Sequence, residues 1–292
     1  MLEVTAPAKL NLTLEVLGNL GDGFHRVRSI AQTINLYDVL RFRPGDGTGL
    51  SCADKHWSAG ESLISRTIQM LREATGCSSG VSIEVVKSIP LLSGLSGDSS
   101  DAAATLLGLN RLWELDLTRR EILKMASRLG SDVAFFFYGG TALLEGRGET
   151  VTPLPPLPHL WVVLLLPQIP RRPGKTGRLY GNIGENMYSN GAVTEKMMCY
   201  LKSPAKGGIP PLFNVFDGVA PAAFPGLKRY WRQFIEAGAS EIHLAGSGPV
   251  LFSLFEDFAR AREIHRRLGN MGHTVYLTDT TAGQETDSTA KY

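Results

Sequence analysis

A loop rich in glycine and serine, between a strand and a helix, is the part of this sequence best suited to chemistry. It reads IPLLSGLSGDSSDAAA over residues 89–104. Residues 81–85 alternate apolar and polar side chains, as a half-buried strand does, and residues 102–112 are rich in helix formers. Such a loop directs unpaired backbone N–H groups at an anion, and Gly94 and Gly97 let the backbone approach it closely. The pattern predicts a site for a nucleotide triphosphate.

The motif is neither of the two common phosphate-binding fingerprints. It lacks the Gly-Lys-Ser/Thr of the P-loop and the Gly-x-Gly-x-x-Gly spacing of dinucleotide-binding proteins. Taken alone, it could be an ordinary helix start, with Ser99, Ser100 or Asp101 as the N-cap. The loop by itself therefore leaves both interpretations open, and its neighbours must decide.

A lysine, an asparagine and an aspartate sit in otherwise apolar segments. Lys9 and Asn11 flank Leu10 in a strand-like segment and so share one face of the strand, which could be no more than a solvated edge. Asp132 precedes the apolar residues 133–137, where burying an unpaired carboxylate would be costly. It could cap the next helix, but paired with Lys9 it would serve as a general base or a hydroxyl-orienting group.

The composition is that of a globular protein without a strong charge bias. The chain has 292 residues, of which 43% are hydrophobic, and a net charge of +2. Its length favours one large or two moderate domains. The charge balance gives no support for a nucleic-acid or membrane partner, and no apolar run approaches the length of a membrane span. The three cysteines lack CxxC spacing, so neither disulfides nor a zinc site are predicted. We expect a cytoplasmic protein in a reducing compartment.

Strand and helix patterns mix in the first half of the chain without a repeating unit. The predicted elements before the loop are strands over residues 9–17 and 39–42 and an amphipathic helix over residues 61–74. After the loop, Thr118 and Glu121 have capping-box spacing and start a helix that ends at Leu129, before Gly130. The proline-rich residues 153–158 mark the predicted domain boundary.

The last third of the chain has clearer patterns. Strands are predicted over residues 161–166, 241–244, 250–255 and 275–277, and a helix over residues 258–268 that Gly269 ends. The second and third of these strands flank a Gly-Ser-Gly turn and form a hairpin, and the strand over residues 275–277 gives an α+β sandwich. Residues 171–190 are polar with weak structural signals, and residues 284–292 are expected to be disordered.

Five motifs in this order resemble the GHMP kinase superfamily. They are PAKLNL at residues 7–12, GDGFH at 21–25, the glycine loop, LGSDV at 129–133 and AGSGP at 245–249. The resemblance covers residues 6 to about 281 and implies a two-domain α+β fold. An N-terminal domain like ribosomal protein S5 would span residues 1–155, and a C-terminal α/β sandwich with ferredoxin-like elements would span 156–282, before a tail of 283–292. It also implies an ATP- and Mg²⁺-dependent enzyme that is a monomer or a homodimer.

The motifs are similar to the branch of this superfamily that phosphorylates the 2-hydroxyl of a cytidyl-methylerythritol. The resemblance makes Lys9 and Asp132 the catalytic pair. It implies ATP contacts from Lys87, on the adenosine side, and from Pro90, Ser93, Gly94, Leu95, Ser96, Gly97, Asp98, Ser99 and Ser100, with Ser99 or Ser100 possible contacts of a Mg²⁺ held mainly by ATP. It implies substrate contacts from Asn11, Phe24, His25, Tyr180, Gly246, Ser247 and Gly248. Phe24 and Tyr180 would sandwich the cytosine, and His25 would bond its edge.

Several residues differ from what the resemblance leads one to expect. Leu92, Ser93, Ser96 and Asp98 stand where these kinases often have glycine or alanine, and Ser62 replaces an asparagine at the adenine pocket. A carboxylate facing the triphosphate would repel it, so we expect Asp98 to point away and bond loop amides or the helix N-terminus. Two other functions stay open: a GHMP kinase directed at mevalonate, homoserine or a sugar, and a non-catalytic binding protein with this fold.

Overall fold

A computed structural model describes residues 1–21, 23–171, 174–203 and 208–283. Its strands, in chain order, are β1 (Leu2–Asn19), β2 (His25–Gly45), β3 (Thr48–Cys52), β4 (Gly80–Val86), β5 (Thr141–Gly146), β6 (Thr150–Pro153), β7 (Trp161–Leu166), β8 (Phe213–Asn214), β9 (His243–Leu244), β10 (Leu251–Phe255) and β11 (Thr274–Asp279). The predicted tail of residues 284–292 lies outside the described residues.

Helices pack on these strands. They are α1 (Leu63–Thr75), α2 (Gly97–Leu112), α3 (Arg119–Leu129), α4 (Lys175–Tyr180), α5 (Ala192–Lys202), α6 (Ala220–Ala223), α7 (Leu227–Glu236) and α8 (Phe258–Asn270). Short 3₁₀ turns cover Ala134–Phe137, Glu185–Met187 and Val215–Gly218. In the described part of the chain, no helix is both long enough and apolar enough to cross a membrane.

The first sheet is organised around the two long strands β1 and β2, which pair antiparallel. Its order is β3-β4-β2-β1-β8. Strand β5 pairs with the first part of β2 on one side and with β6 on the other. The helices α1, α2 and α3 bury their apolar faces against one side of this sheet, around Phe42 and Leu106. This packing fixes the start of α2, and with it the glycine loop, beside the middle of β1.

The second sheet has the order β11-β7-β10-β9 with antiparallel pairs throughout. Strand β7 is apolar on both faces because both faces are covered. Val162 and Leu164 pack towards residues of β1 and β2, whereas Val163 and Leu165 pack with α7 and α8. The apolar residues of β1, β2, β7 and β10 form one cluster that holds the two sheets together. A cleft lies beside this cluster, with lining residues from both halves of the chain.

Most elements agree with the sequence-based predictions. The α+β fold is confirmed, as are the buried strand β7, the hairpin of β9 and β10, and the capping box of Thr118 and Glu121. The domain boundary near residue 155 stays a prediction. Strand β2 is far longer than predicted, because its polar residues obscure the apolar pattern. Residues 171–190 contain α4 and a 3₁₀ turn, and α8 continues through Gly269 to Asn270.

Candidate active site

A buried lysine and a carboxylate meet at the floor of a cleft. Lys9, in the middle of β1, is only 3% exposed, and its Nζ lies 3.1 Å from Oδ2 of Asp132, whose side chain is 31% exposed. The solvated-edge interpretation of Lys9 is therefore wrong. Asp132 does not cap the following 3₁₀ turn either, since that turn has no side-chain cap. The costly burial expected for this carboxylate is offset by an ion pair, as the sequence predicted.

Neighbouring side chains fix this pair from both sides. Lys9 Nζ also donates to Oδ1 of Asn11 at 2.8 Å, and the Asn11 amide donates to the hydroxyl of Ser29 at 2.7 Å. On the other side, the Ser96 hydroxyl donates to Oδ2 of Asp132 at 2.6 Å. Burial works against the ionised carboxylate, but Lys9 and the Ser96 hydrogen bond outweigh it and hold the pKa of Asp132 below its usual range.

The glycine loop packs directly on the Gly-Ser-Gly turn between β9 and β10. A Cβ on Gly94 would lie 2.0 Å from the carbonyl oxygen of Ala245, and the φ of Gly94 is +94°. Only glycine fits both this contact and this backbone conformation. The Val250 amide donates to the Ser93 carbonyl at 3.1 Å, and the Lys9 amide donates to the Leu95 carbonyl at 3.1 Å. The two loops and β1 thus form one rigid wall around the carboxylate.

The N-terminus of α2 opens into the same cleft. Its N-cap is Ser96, whose hydroxyl donates to Asp132 and does not cap the helix. The N-cap interpretation with Ser99, Ser100 or Asp101 is therefore wrong, and the amides of the first turn have no side-chain acceptor at the cap. The positive end of the helix dipole is left available to an anion.

Asp98 does not adopt the arrangement we expected from the sequence. Its side chain is exposed and accepts no hydrogen bond from the residues that the structure describes, although it lies in the first turn of α2. It lines the cleft and also a smaller adjoining pocket of about 440 Å³. That pocket includes Trp57 and Ser62, and the Ser62 hydroxyl accepts from the Ile64 amide as the N-cap of α1. The carboxylate of Asp98 thus stands between the two pockets.

Lys87 is held by carboxylates at the start of the loop. Its Nζ lies 2.5 Å from Asp38 and 2.8 Å from Asp101, and all three side chains are buried. Asp38 also accepts from the amides of Ser88 and Ile89. Burial disfavours the charged form of Lys87, but the two carboxylates outweigh burial and raise the pKa of Lys87. Burial also raises the pKa of Asp101. The cluster anchors the loop, and the predicted adenosine contact of Lys87 stays a prediction.

Aromatic rings form the opposite wall of the cleft. Tyr180, at the end of α4, stacks on His25 with 5.0 Å between ring centroids and 16° between planes. Phe24 is 50% exposed and lies under the guanidinium of Arg147, 4.2 Å from its ring centroid. Among the described residues, Nδ1 of His25 is buried without a hydrogen-bond partner. The structure brings the three rings to one wall, but Tyr180 is stacked on His25 and not on Phe24.

The cleft has a volume of about 770 Å³ and collects most of the predicted site residues. It is lined by Lys9, Asn11, Phe24, His25, Lys87, Pro90, Ser93, Gly94, Ser96, Gly97, Asp98, Ser99, Asp132, Tyr180, Gly246 and Ser247. Leu95 and Ser100 are buried and do not line it, and Gly248 turns its carbonyl towards a lysine of α4. Among the described residues, no group of three or more His, Cys, Asp and Glu side chains could hold a metal ion.

Several residues of the cleft wall were not predicted from the sequence, and two of them hold the Gly-Ser-Gly turn. Lys175, the first residue of α4, is buried and donates to the Ser247 hydroxyl at 2.9 Å and to the Gly248 carbonyl. Thr176 shares a hydrogen bond of 2.8 Å with the Ser247 hydroxyl. Both residues belong to a segment with weak structural signals, and only its fold against the Gly-Ser-Gly turn shows their position. The signal in the sequence was a lysine in the same short segment as Tyr180, which was itself a predicted site residue.

Family models match a segment in each half of the chain, and curated relatives match nearly all of it. The family description "GHMP kinases N terminal domain" matches residues 62–140, and "GHMP kinases C terminal" matches residues 206–274. The chain is 45% identical over 280 residues to a 4-diphosphocytidyl-2-C-methyl-D-erythritol kinase of Dehalococcoides mccartyi, covering 96% of this chain and 98% of that relative. It is 36% identical to the same kinase of Bacillus mycoides, covering 97% and 98%.

Solved structures give the same result. A crystal structure of 4-(cytidine 5'-diphospho)-2C-methyl-D-erythritol kinase superposes with a TM-score of 0.81 at 31% identity, covering 97% of this chain and 100% of that one. A homoserine kinase from Cytophaga hutchinsonii shares the fold, with a TM-score of 0.73 at 19% identity over 97% and 95% of the two chains. The chain is a kinase that belongs to the GHMP kinases and, among them, to the family of the 4-diphosphocytidyl-2-C-methyl-D-erythritol kinases.

Proposed function

We propose that this kinase transfers the γ-phosphoryl group of ATP to the 2-hydroxyl of 4-diphosphocytidyl-2-C-methyl-D-erythritol. The observation that carries the proposal is the Lys9–Asp132 pair, which lies between an anion-binding loop and an aromatic wall. Family membership implies ATP as the donor, and the names of the relatives give the acceptor. A kinase that draws on ATP works where ATP is abundant, so cytoplasmic location is part of the proposal.

Asp132 orients the acceptor hydroxyl and receives its proton. A carboxylate with a lowered pKa is a weak base for a free alcohol, so its first effect is to accept a hydrogen bond from the hydroxyl and aim its oxygen. The hydroxyl oxygen forms a bond to the γ-phosphorus of ATP while the bond from this phosphorus to the bridging oxygen of ADP breaks. The hydroxyl becomes acidic as its bond to phosphorus forms, and its proton moves to Asp132. Lys9 holds the carboxylate in place and stabilises the charge around it.

The glycine loop and α2 bind the phosphates. Residues of the loop and of the first turn of α2 line the cleft, where backbone amides and the helix dipole stabilise negative charge. Mg²⁺ supplies neutralisation of the phosphate charge when it is bound with ATP. Ser99 lines the same cleft, and its hydroxyl would be a side-chain oxygen available to that ion.

The aromatic wall recognises the cytosine. Tyr180 and His25 are already stacked, which offers a rigid ring face to the base, and the imidazole of His25 lines the cleft where it can bond the polar edge of the base. Phe24 lies at the mouth of the cleft and covers the base from outside. Asn11 is placed beside Lys9 and contacts the acceptor close to the hydroxyl.

The test is turnover with a panel of acceptors. The purified protein is incubated with ATP and Mg²⁺ and, in separate reactions, with 4-diphosphocytidyl-2-C-methyl-D-erythritol, mevalonate, homoserine and a hexose. We expect ADP release and a singly phosphorylated product with the cytidyl acceptor alone. Turnover with another acceptor and none with the cytidyl compound would show that the acceptor is wrong. No turnover with any acceptor, despite ATP binding, would favour a binding protein.

A further inference from the structure

Lys175 is a buried cation in the wall of the cleft. Its side chain is 8% exposed, and it faces the cleft from the start of α4. Its Nζ donates to the Ser247 hydroxyl at 2.9 Å and to the Gly248 carbonyl. Both acceptors are neutral. The ammonium therefore has hydrogen bonds but no opposite charge among the described residues.

The other two lysines of the cleft differ from Lys175 in this respect. Lys9 pairs with Asp132, and Lys87 pairs with Asp38 and Asp101. The charged groups that act on Lys175 are Lys9 and Arg171, both cations. Burial and these two positive charges lower the pKa of Lys175 to about 7. A buried ammonium without a counter-ion is costly, so the missing charge must come from outside the chain if Lys175 is to be charged in the working enzyme.

We propose that Lys175 binds a phosphate group of a bound substrate, which supplies the counter-charge that the chain itself does not provide. The position favours this ligand chemistry, because Lys175 holds the Gly-Ser-Gly turn that packs on the phosphate-binding loop. The inference rests on the proposed function in that the cleft receives both a triphosphate and a cytidine diphosphate group. Either phosphate has the required charge, and the experiment distinguishes them.

A purely structural role would give different behaviour. If Lys175 only ties α4 to the turn, its replacement by methionine should lower stability and weaken all ligands alike. If it binds phosphate, methionine replaces an amine that is costly to charge in this buried position and leaves the unfolding temperature unchanged or higher. Phosphate-bearing ligands then lose affinity, whereas nucleosides do not.

The decisive measurement is proton uptake on binding. Calorimetric titrations are run at about pH 8 in Tris and in HEPES, which differ in ionisation enthalpy, so the difference in heat counts the protons taken up. The ligands are a non-hydrolysable ATP analogue and CDP in separate experiments, with adenosine and cytidine as matched controls. Lys175 is mostly neutral at this pH in the free protein. When a phosphate binds it, Lys175 should become charged and take up a large fraction of one proton per site from the buffer.

Two variants complete the test. Lys175→Met should bind the responsible phosphate ligand about 10- to 100-fold more weakly, the usual range for a charged hydrogen bond, and should lose the proton uptake. Lys175→Arg keeps a permanent charge, so it should retain most of the affinity and also lose the uptake. The ligand that shows the loss, the ATP analogue or CDP, identifies which phosphate Lys175 contacts.

The proposal is overturned if Lys175→Met binds both phosphate ligands with the affinity and proton uptake of the parent protein. It is also overturned if the variant weakens nucleosides and nucleotides by the same factor. The nucleotide titration does not require the acceptor. Absence of turnover with the cytidyl acceptor in the parent protein would therefore overturn the proposed function, while a Lys175-dependent ATP titration would still support the phosphate contact.

Discussion

Replacing Asp132 by asparagine tests the centre of the proposed mechanism. Asparagine keeps the shape of the side chain and can still accept a hydrogen bond from Ser96, but it removes the charge that pairs with Lys9. An amide cannot take the proton of the acceptor hydroxyl. We expect kcat to fall by at least about 10²-fold, with a small change in the affinity for ATP.

The cost in stability follows from the burial of the two partners. Removing one partner of a fully buried ion pair costs about 3–5 kcal/mol. Asp132 is 31% exposed, and Lys9 keeps its hydrogen bond to Asn11, so the cost for Asp132→Asn should be lower, at about 1–3 kcal/mol. The variant should therefore stay folded at assay temperature, which an unfolding curve recorded beside the kinetics will verify.

The difference in stability between the parent protein and Asp132→Asn depends on pH, and its direction follows from the pKa of Asp132. The folded-state pKa of Asp132 lies below its usual value, so its stabilising charge is present above the pKa of the unfolded state, about 4. The stability gap between parent and variant should be constant from neutral pH down to about pH 5 and should shrink as the pH falls further. A folded variant with near-normal kcat would refute the assignment of Asp132.

Ser96→Ala is the matched control for this prediction. Serine and alanine tolerate the positive φ of this position equally badly, so the substitution removes the hydrogen bond to Asp132 without changing the backbone cost. We expect kcat to fall by roughly 3- to 10-fold, because Asp132 loses orientation but keeps its charge and its pairing with Lys9, with KM values close to those of the parent. A loss as large as that of Asp132→Asn would mean that Ser96 acts directly on a substrate.

Four further substitutions test the walls of the cleft. Tyr180→Ala should weaken the cytidyl acceptor by roughly 1–3 kcal/mol, and the exposed Phe24→Ala by less, with little effect on ATP in equilibrium titrations. Equal losses for both ligands, with a lower unfolding temperature, would show that the rings are structural. Asp98→Asn should tighten ATP about 2- to 5-fold because an exposed like charge is removed, and weaker binding would contradict this. Gly94→Ala should lose ATP binding and stability together, since its Cβ would collide with the Ala245 carbonyl, and a stable, active variant would show that the two loops can separate.

The ion pair of Lys9 and Asp132 could be predicted from the sequence because both charged residues stand in apolar segments. Asp132 stands at the edge of an apolar run and so needed an opposite charge, whereas Lys9 in its apolar strand could also have lain on a solvated edge. The stacking of Tyr180 on His25 could not be predicted. Those rings are 155 positions apart in the chain, and their contact depends on how α4 packs against the start of β2. Residue types can therefore indicate that a ring faces a ligand without indicating which ring it stacks on.

The loop shows where sequence reasoning about a single residue fails. Ser99, Ser100 and Asp101 are small polar residues near the start of a helix, and the sequence suggested that any of them could cap it, whereas the structure places the N-cap at Ser96. The backbone decides otherwise: Ser96 has a φ of 59°, in the left-handed region, and its hydroxyl reaches Asp132 instead of the amides of α2. A serine held in this conformation costs about 1 kcal/mol or more, and its hydrogen bond to a carboxylate is of the size needed to offset that cost. The same hydrogen bond leaves the helix N-terminus uncapped, so one unfavourable backbone conformation both orients the carboxylate and keeps the anion site free.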